Sequence, residues 1–102
     1  MVVIGGYTFQ GWFYSVTTLD DKSGVYAIGC GKGEKHFLLD VGEASKVKER
    51  VLNHDRKECW AKYCKGGTLK YAQLLTPNKQ QSGRKEIEQD IRKKEKPPCG
   101  NE

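Results

Sequence analysis

Aromatic and β-branched side chains alternate with polar ones near the start of the chain, in a pattern typical of short strands. Residues 7–18 are rich in these side chains and are interrupted by Gly11. This composition predicts an irregular hairpin or a lid over one sheet edge. We therefore interpret residues 1–23 as an N-terminal β extension or lid that precedes the main part of the domain.

Two further strands are predicted in the next part of the chain. Residues 25–30 and 36–41 both have the composition of strands, and the turn-forming residues 31–35 lie between them. The simplest interpretation is a hairpin. With a five-residue loop, Tyr26 would lie directly opposite Asp40 on one face of the sheet. A register slip of one residue would separate the two side chains.

A helical pattern follows the hairpin. Residues 45–54 carry Val47 and Val51 four positions apart, and Ser45 is a suitable N-cap, so a helix is predicted over this range. A polar stripe with the same spacing lies beside the apolar one, and it can face the rim of the sheet. This stripe consists of Lys46, Arg50 and His54.

The rest of the chain predicts a helix, a strand and a second helix. A short helix follows Asp55 and ends near Gly66, and the alternation in residues 68–75 predicts a strand that Pro77 ends. The last helix is predicted over residues 82–96. Its apolar positions are Ile87 and Ile91, and the adjacent polar stripe is Arg84, Glu88 and Arg92.

Together these elements predict an α+β fold, with a small antiparallel sheet of about three core strands flanked by helices and an extra N-terminal β segment. A length of 102 residues allows one domain with one modest core. Only residues 99–102 are expected to fray.

The uneven distribution of charge along the chain points to a candidate partner. The chain carries 18 Lys and Arg against 13 Asp and Glu, a net charge of +5. Residues 46–70 hold eight of the basic side chains and three acidic ones, whereas residues 1–31 hold one basic and two acidic ones. A basic segment of this kind favours a polyanion, most simply nucleic acid, although the solvated surface of any basic protein has a similar composition.

The cysteines are expected to be reduced. Their even number would allow two disulfides, but that inference needs a secreted context, and residues 1–6 do not resemble a signal peptide or a membrane-spanning segment. We therefore expect a cytoplasmic protein with no membrane partner. A zinc site that includes His54 is the alternative, although the spacing lacks the short gaps of structural zinc sites. The four cysteines are Cys30, Cys59, Cys64 and Cys99.

The order and spacing of several motifs resemble the GIY-YIG endonuclease superfamily. Gly24-Val25-Tyr26 matches the first motif with Val for Ile, and Asp40-Val41-Gly42 stands at the second. Arg50 and His54 follow Asp40 by ten and fourteen residues. The end of the chain is similar to the closing helix of the family, through Glu88, Ile91, Pro97 and Asn101. The resemblance spans residues 24–101 and implies a small single-domain member, with residues 24–102 as the nuclease domain.

The resemblance also implies a metal-dependent DNA endonuclease. Glu88 would bind one divalent cation, Mg²⁺ or Mn²⁺, since a carboxylate with several waters suits a hard cation. Arg50 would bind the scissile phosphate through its planar guanidinium group. His54 would assist proton transfer or hold the phosphate, and Tyr26 would position or activate the attacking water.

The departure from the family pattern is Asp40, which stands where the second tyrosine is expected. A carboxylate is ionised at neutral pH but is a much weaker base than a phenolate. Asp40 is then either a catalytic base or second metal ligand, or it marks a site that binds nucleic acid without cutting it. The alternative to an endonuclease is therefore a non-catalytic nucleic-acid-binding module on the same fold.

Basic and aromatic side chains around the predicted helices would contact the DNA. They would bind backbone phosphates or stack on a distorted or single-stranded base, although for Trp60 the favoured interpretation is a core anchor beneath the second helix. No segment resembles a reader of base edges, so we expect weak intrinsic sequence specificity. Branched, damaged or single-stranded DNA, or a protein partner that supplies specificity, would then direct the enzyme. The contact candidates are Lys46, Arg56, Lys57, Trp60, Lys62 and Tyr63.

Overall fold

The computed structural model describes residues 1–100, which form one antiparallel sheet of five strands with helices on both faces. The α+β class is confirmed. The expected count of about three core strands is not, because two N-terminal strands join the same sheet, whose order is β1-β2-β5-β3-β4. The strands are β1 (Val2–Ile4), β2 (Tyr7–Phe13), β3 (Gly24–Lys32), β4 (Lys35–Ala44) and β5 (Thr68–Leu75), and the helices are α1 (Val47–Leu52), α2 (Lys57–Tyr63) and α3 (Gln81–Glu95).

The N-terminal segment extends the sheet. Strand β2 pairs with β5, with Gln10 opposite Gln73, and β1 pairs with β2 to form the edge. Ile4 and Phe9 are buried in the same core as α3. These residues are therefore part of the main fold.

Each face of the sheet has its own core. Alternate residues of β3 point to opposite faces, as the two-residue period of a strand requires. Tyr26 and Ile28 pack beneath α1 and α2, whereas Val25 and Ala27 pack beneath α3. The helices thus form two layers, one on each face of the sheet.

The predicted register of the β3–β4 hairpin is wrong. Tyr26 lies opposite Gly42, and Asp40 lies opposite Ile28. The turn has two residues rather than five, because Lys32 already pairs with Lys35, and this shifts the register by one residue. A bulge near Leu39 shifts it by one more, which returns Asp40 to the face that Tyr26 occupies.

The start of α1 also differs from the prediction. The cap position is Lys46 rather than Ser45, and no side chain at that position bonds to the helix. The free backbone N–H groups are instead bonded by the segment that precedes β3. Val47 donates to the carbonyl of Lys22, and Lys48 donates to that of Asp20. The backbone of residues 20–22 therefore satisfies donors that a cap side chain would otherwise satisfy.

The expectation of reduced thiols is wrong, because the four cysteines form two disulfides. Cys30–Cys64 joins β3 to the end of α2, and Cys59–Cys99 joins α2 to the segment after α3. The thiolates that the alternative zinc site would need are therefore absent. Cys99, expected to fray, is fully buried, and its N–H donates to the carbonyl of Leu39.

No helix within residues 1–100 is both long enough and apolar enough to cross a membrane. The expectation of a cytoplasmic location loses one of its arguments, however, because disulfides persist mainly in oxidising compartments.

Reduction of the disulfides is expected to destabilise the fold strongly. The cross-links close loops with sequence separations of 34 and 40 residues. Loop entropy then gives each a stabilisation of about 4 kcal/mol. Urea unfolding with and without dithiothreitol should show a large decrease in the free energy of unfolding on reduction. A paired Cys59→Ser, Cys99→Ser variant should show part of that decrease without reductant, and equal stability of the oxidised and reduced protein would contradict the expectation.

Candidate active site

A fully buried carboxylate, Asp40, lies at the centre of the candidate site. The Arg56 Nε donates to Oδ2 at 2.8 Å and its Nη2 to Oδ1 at 3.3 Å, and the indole N–H of Trp60 donates to Oδ2 at 2.8 Å. Arg92 donates through Nη2 to Oδ1 at 2.6 Å. Each carboxylate oxygen thus accepts two hydrogen bonds, so neither is left open for a metal ion or an attacking water.

Arg92 connects this buried carboxylate to a second acidic group. Besides Asp40, its guanidinium donates to the backbone carbonyls of Val41 and Cys99. Its Nε also donates to Oε2 of Glu88 at 3.2 Å. The orientation of the Glu88 carboxylate is therefore coupled to the Asp40 cluster, which we define as Asp40, Arg56, Trp60 and Arg92.

Tyr26 and His54 form a buried pair beside the cluster. The Tyr26 hydroxyl lies 2.5 Å from Nε2 of His54, and the two rings meet edge to face. The phenol also lies against the backbone of Gly42, where an added Cβ would overlap the Tyr26 oxygen. A glycine is thus required directly opposite the tyrosine.

The hydrogen bonds of His54 define its tautomer. Its Nδ1 accepts the backbone N–H of Arg56 at 3.0 Å, so the ring proton of the neutral imidazole is on Nε2. Burial, followed by the charges of Arg50 and Arg56, lowers the pKa of His54 to about 4, which keeps it neutral at pH 7. His54 therefore donates to the Tyr26 oxygen, and the phenolic proton is free to point elsewhere.

Tyr26 is protonated at neutral pH. Burial, and next the charge of Asp40, raise its pKa to about 12, and Arg56 and Arg50 oppose this effect. Glu88 acts on the phenol in the same direction as Asp40. Tyr26 can thus donate its proton to a ligand, and it becomes a base only where additional positive charge lowers its pKa.

Glu88 and Arg50 provide the accessible groups of the site. The Glu88 side chain is 22% exposed, and its Oε1 accepts no hydrogen bond from residues 1–100. Arg50 is 40% exposed and contacts Asp55 at 3.2 Å, in a pair that solvent weakens. Arg50 also lines a cleft of about 680 Å³ that includes Glu43 and Arg84.

The donor set suits a cation held by one carboxylate. Within the described residues, no group of three or more His, Cys, Asp or Glu side chains could enclose a metal ion. Magnesium, however, is often bound through one or two carboxylates, with water and substrate phosphate as the other ligands. Glu88 fits this role because Arg92 fixes one of its oxygens and leaves the other available.

The predicted DNA contacts fall into two groups. The buried Trp60 is 1% exposed and donates to Asp40, so it anchors the core and cannot stack on a base in this position. Arg56 uses its guanidinium largely on Asp40, with 25% of the side chain exposed. The remaining candidates are exposed, and they are Lys46, Lys57, Lys62 and Tyr63.

Scans against family models, curated proteins and solved structures found no match to this chain. The GIY-YIG resemblance therefore stays a prediction from the motifs. Asn101, part of that resemblance, lies outside the described residues.

Arg92 is the site residue that the sequence interpretation did not identify. It appeared only as part of the polar stripe of the last helix. The available signal was the position of Arg92 one turn after Glu88 and next to the buried Ile91. The sequence contained no indication that Arg92 reaches Asp40.

His54 is expected to make the stability of the fold depend on pH. Its pKa is about 4 in the folded protein, against the ordinary value of 6.5 that a histidine has in the unfolded chain. As the pH falls, the unfolded chain therefore binds a proton at His54 before the folded protein does. The stabilisation is complete above pH 6.5 and is lost between pH 6.5 and 4, at up to about 1.4 kcal/mol per pH unit. The difference in unfolding free energy between wild type and His54→Gln, measured by urea titration, should shrink over this range. A difference that does not change with pH would contradict the assignment.

Asp40→Asn is expected to destabilise the protein by about 3 to 5 kcal/mol, because it removes the negative charge that lies between two partly buried guanidinium groups. Chemical denaturation measures this directly. The control is Glu49→Gln, which removes a carboxylate from an exposed pair and should change stability by less than about 1 kcal/mol. Equal effects of the two substitutions would show that the Asp40 cluster does not stabilise the fold.

Proposed function

We propose that this protein is a divalent-metal-dependent endonuclease that hydrolyses DNA phosphodiester bonds. The observation that best supports this is the close pairing of Tyr26 with a neutral His54, with the partly exposed Glu88 carboxylate near enough for its charge to act on the pKa of Tyr26. The pair supplies a phenol whose proton is not donated to any group of residues 1–100. Glu88 supplies a fixed carboxylate with one open oxygen, and Arg50 supplies positive charge at the surface. These are the groups that phosphodiester hydrolysis requires.

In this proposal Glu88 holds Mg²⁺ or Mn²⁺ through Oε1, and Arg92 orients the carboxylate through Oε2. When bound, the cation would polarise a phosphate oxygen and favour a hydroxide nucleophile. Arg50 would exchange its weak, exposed contact with Asp55 for the scissile phosphate, which its guanidinium can bind through two hydrogen bonds.

Tyr26 would position the attacking water. Its oxygen accepts the Nε2–H of His54, so the phenolic O–H can point toward a water or a phosphate oxygen. The same bond would stabilise the phenolate if Tyr26 gave up its proton, since a donor to the charged form favours that form. His54 thus acts through Tyr26 and fixes the direction of proton donation.

Asp40 has a different role here from the one its position in the motif suggested. Because its oxygens are occupied by four donors, we assign it neither as a catalytic base nor as a second metal ligand. It would instead position Arg56 and Arg92, and through Arg92 it would position Glu88. The missing second tyrosine is then compatible with cleavage, because the carboxylate that replaces it serves the structure of the site.

The DNA is proposed to be bound through its backbone. The exposed side chains of Lys46, Lys57 and Lys62 would contact phosphates, and Tyr63 is exposed for stacking. Such contacts carry little sequence information. Branched, damaged or single-stranded DNA, or a protein partner that delivers the enzyme, would supply the selectivity.

A nicking assay tests the proposal. Supercoiled, branched and single-stranded DNA are incubated with Mg²⁺ or Mn²⁺ and the oxidised protein. Wild type should cleave at least one substrate, whereas Glu88→Gln and Tyr26→Phe should reduce the rate by about 100-fold or more. Arg50→Lys should retain more activity than Arg50→Ala, because it keeps the charge but loses the planar fork.

The exposed Glu86→Gln variant, on the same helix as Glu88, is the matched control and should cleave like wild type. Calorimetric titration with Mn²⁺ in the absence of DNA should show binding to wild type that Glu88→Gln weakens. Salt-sensitive DNA binding without cleavage under either metal would instead support the alternative, a non-catalytic nucleic-acid-binding module.

A further inference from the structure

A second cluster of polar groups lies on the sheet face that α3 covers. Lys70 of β5 is 95% buried, since only 5% of its surface is exposed. Its Nζ lies 2.9 Å from Nδ1 of His36 and 4.6 Å from the centre of the Trp12 ring. None of these three side chains belongs to the candidate active site.

The ammonium group of Lys70 has no carboxylate partner among residues 1–100. An ammonium can only donate hydrogen bonds, so the contact with His36 requires an unprotonated Nδ1 on a neutral ring. The ring face of Trp12 attracts the cation but carries no net charge. Burial lowers the pKa of Lys70, as expected for a cation without a counter-charge.

The backbone is shaped to hold this arrangement. Gly29 of β3 lies directly beside Lys70 in the sheet. A Cβ at this position would approach the Trp12 ring to 2.9 Å and Cε of Lys70 to 3.2 Å. The absence of a side chain therefore allows the lysine and the indole to pack together across the strand.

Lys70 and His36 line a small pocket of about 200 Å³, whose other walls are mainly apolar. Such a volume suits a small molecule, because a cavity of about 150 Å³ can hold benzene. Glu95 also lines the pocket but forms no ion pair with Lys70. The apolar walls include Val2, Ile4, Trp12, Phe37 and Leu38.

We propose that this pocket binds a small carboxylic acid with an apolar body. The carboxylate would form with the Lys70 ammonium the ion pair that no carboxylate of residues 1–100 forms with it. The apolar part would lie against Trp12 and the side chains of β1 and β4. The charge of Lys70 selects an anion, and the apolar walls select against a fully polar one.

Benzoate is the probe, with benzamide as its neutral counterpart and inorganic phosphate as an anion without an apolar body. Titrations of the oxidised, ¹⁵N-labelled protein are followed by amide and indole chemical shifts. Benzoate should saturate, with the largest shifts at Trp12 and at residues of the pocket. Benzamide and phosphate should each bind at least about tenfold more weakly.

Lys70→Met is the main variant, since it keeps an apolar side chain of similar length, and the exposed Lys35→Met is the matched control. Benzoate affinity should fall at least about tenfold in the first variant and stay unchanged in the second. If Lys70→Met does not fold, Lys70→Gln replaces it. Equal affinity for benzoate and benzamide in wild type, tighter binding of phosphate, or unchanged benzoate affinity without the Lys70 charge would overturn the proposal. Because no DNA or metal is used, these outcomes are independent of the nuclease assay.

Discussion

The charge of Asp40 is the constraint on which the rest of the candidate site depends. A fully buried carboxylate is strongly unfavourable unless donors surround it, and here four hydrogen bonds do so. The donors come from α2 and Arg56, the residue before it, on one face of the sheet, and from α3 on the other. This is possible because β4 is an edge strand, so a helix on either face can reach the same side chain around the edge. Asp40 therefore fixes both helices relative to the sheet.

The disulfides reinforce the same edge. Cys59–Cys99 links α2 to the chain that leaves α3, and the carbonyl of Cys99 accepts a hydrogen bond from Arg92. The N–H of Cys99 in turn donates to Leu39, next to Asp40. The edge of β4 is thus covered by a covalently held segment. This segment also protects backbone groups of the edge strand that could otherwise form hydrogen bonds with a strand of another chain. A redox-dependent link and an ionic cluster hold the same two helices.

The elements of the fold could be predicted from the sequence where the apolar period was clear. The limits of β5 and the buried pair Ile87 and Ile91 of α3 were predicted from the pattern alone. The hairpin register could not be predicted, because it depends on a two-residue turn and a bulge that composition does not encode. The prediction of reduced cysteines was also wrong, because it rested on the lack of a signal-like segment in residues 1–6 rather than on which cysteines the fold brings together.

The candidate site was predictable as a set of residues but not as a network. Tyr26 and His54 were named, yet their direct contact depends on α1 lying over β3. The structure of the Asp40 cluster depends on an arginine 52 residues away in the sequence, and no local pattern could reveal that pair. A motif interpretation assigns a role to each residue by position, whereas the role of a buried charge depends on its partners.

In the proposed nuclease, the arrangement would explain how a carboxylate at the position of the expected second tyrosine leaves Tyr26 functional. A negative charge near a phenol raises its pKa, and Asp40 has this effect on Tyr26. The same carboxylate, however, brings in Arg56, which opposes the shift, and holds Arg92 against Glu88. Asp40 together with Arg56 and Arg92 carries a net positive charge. The proton of Tyr26 is therefore held mainly by burial, so hydration of the phenol or added positive charge, rather than a change at Asp40, would lower its pKa.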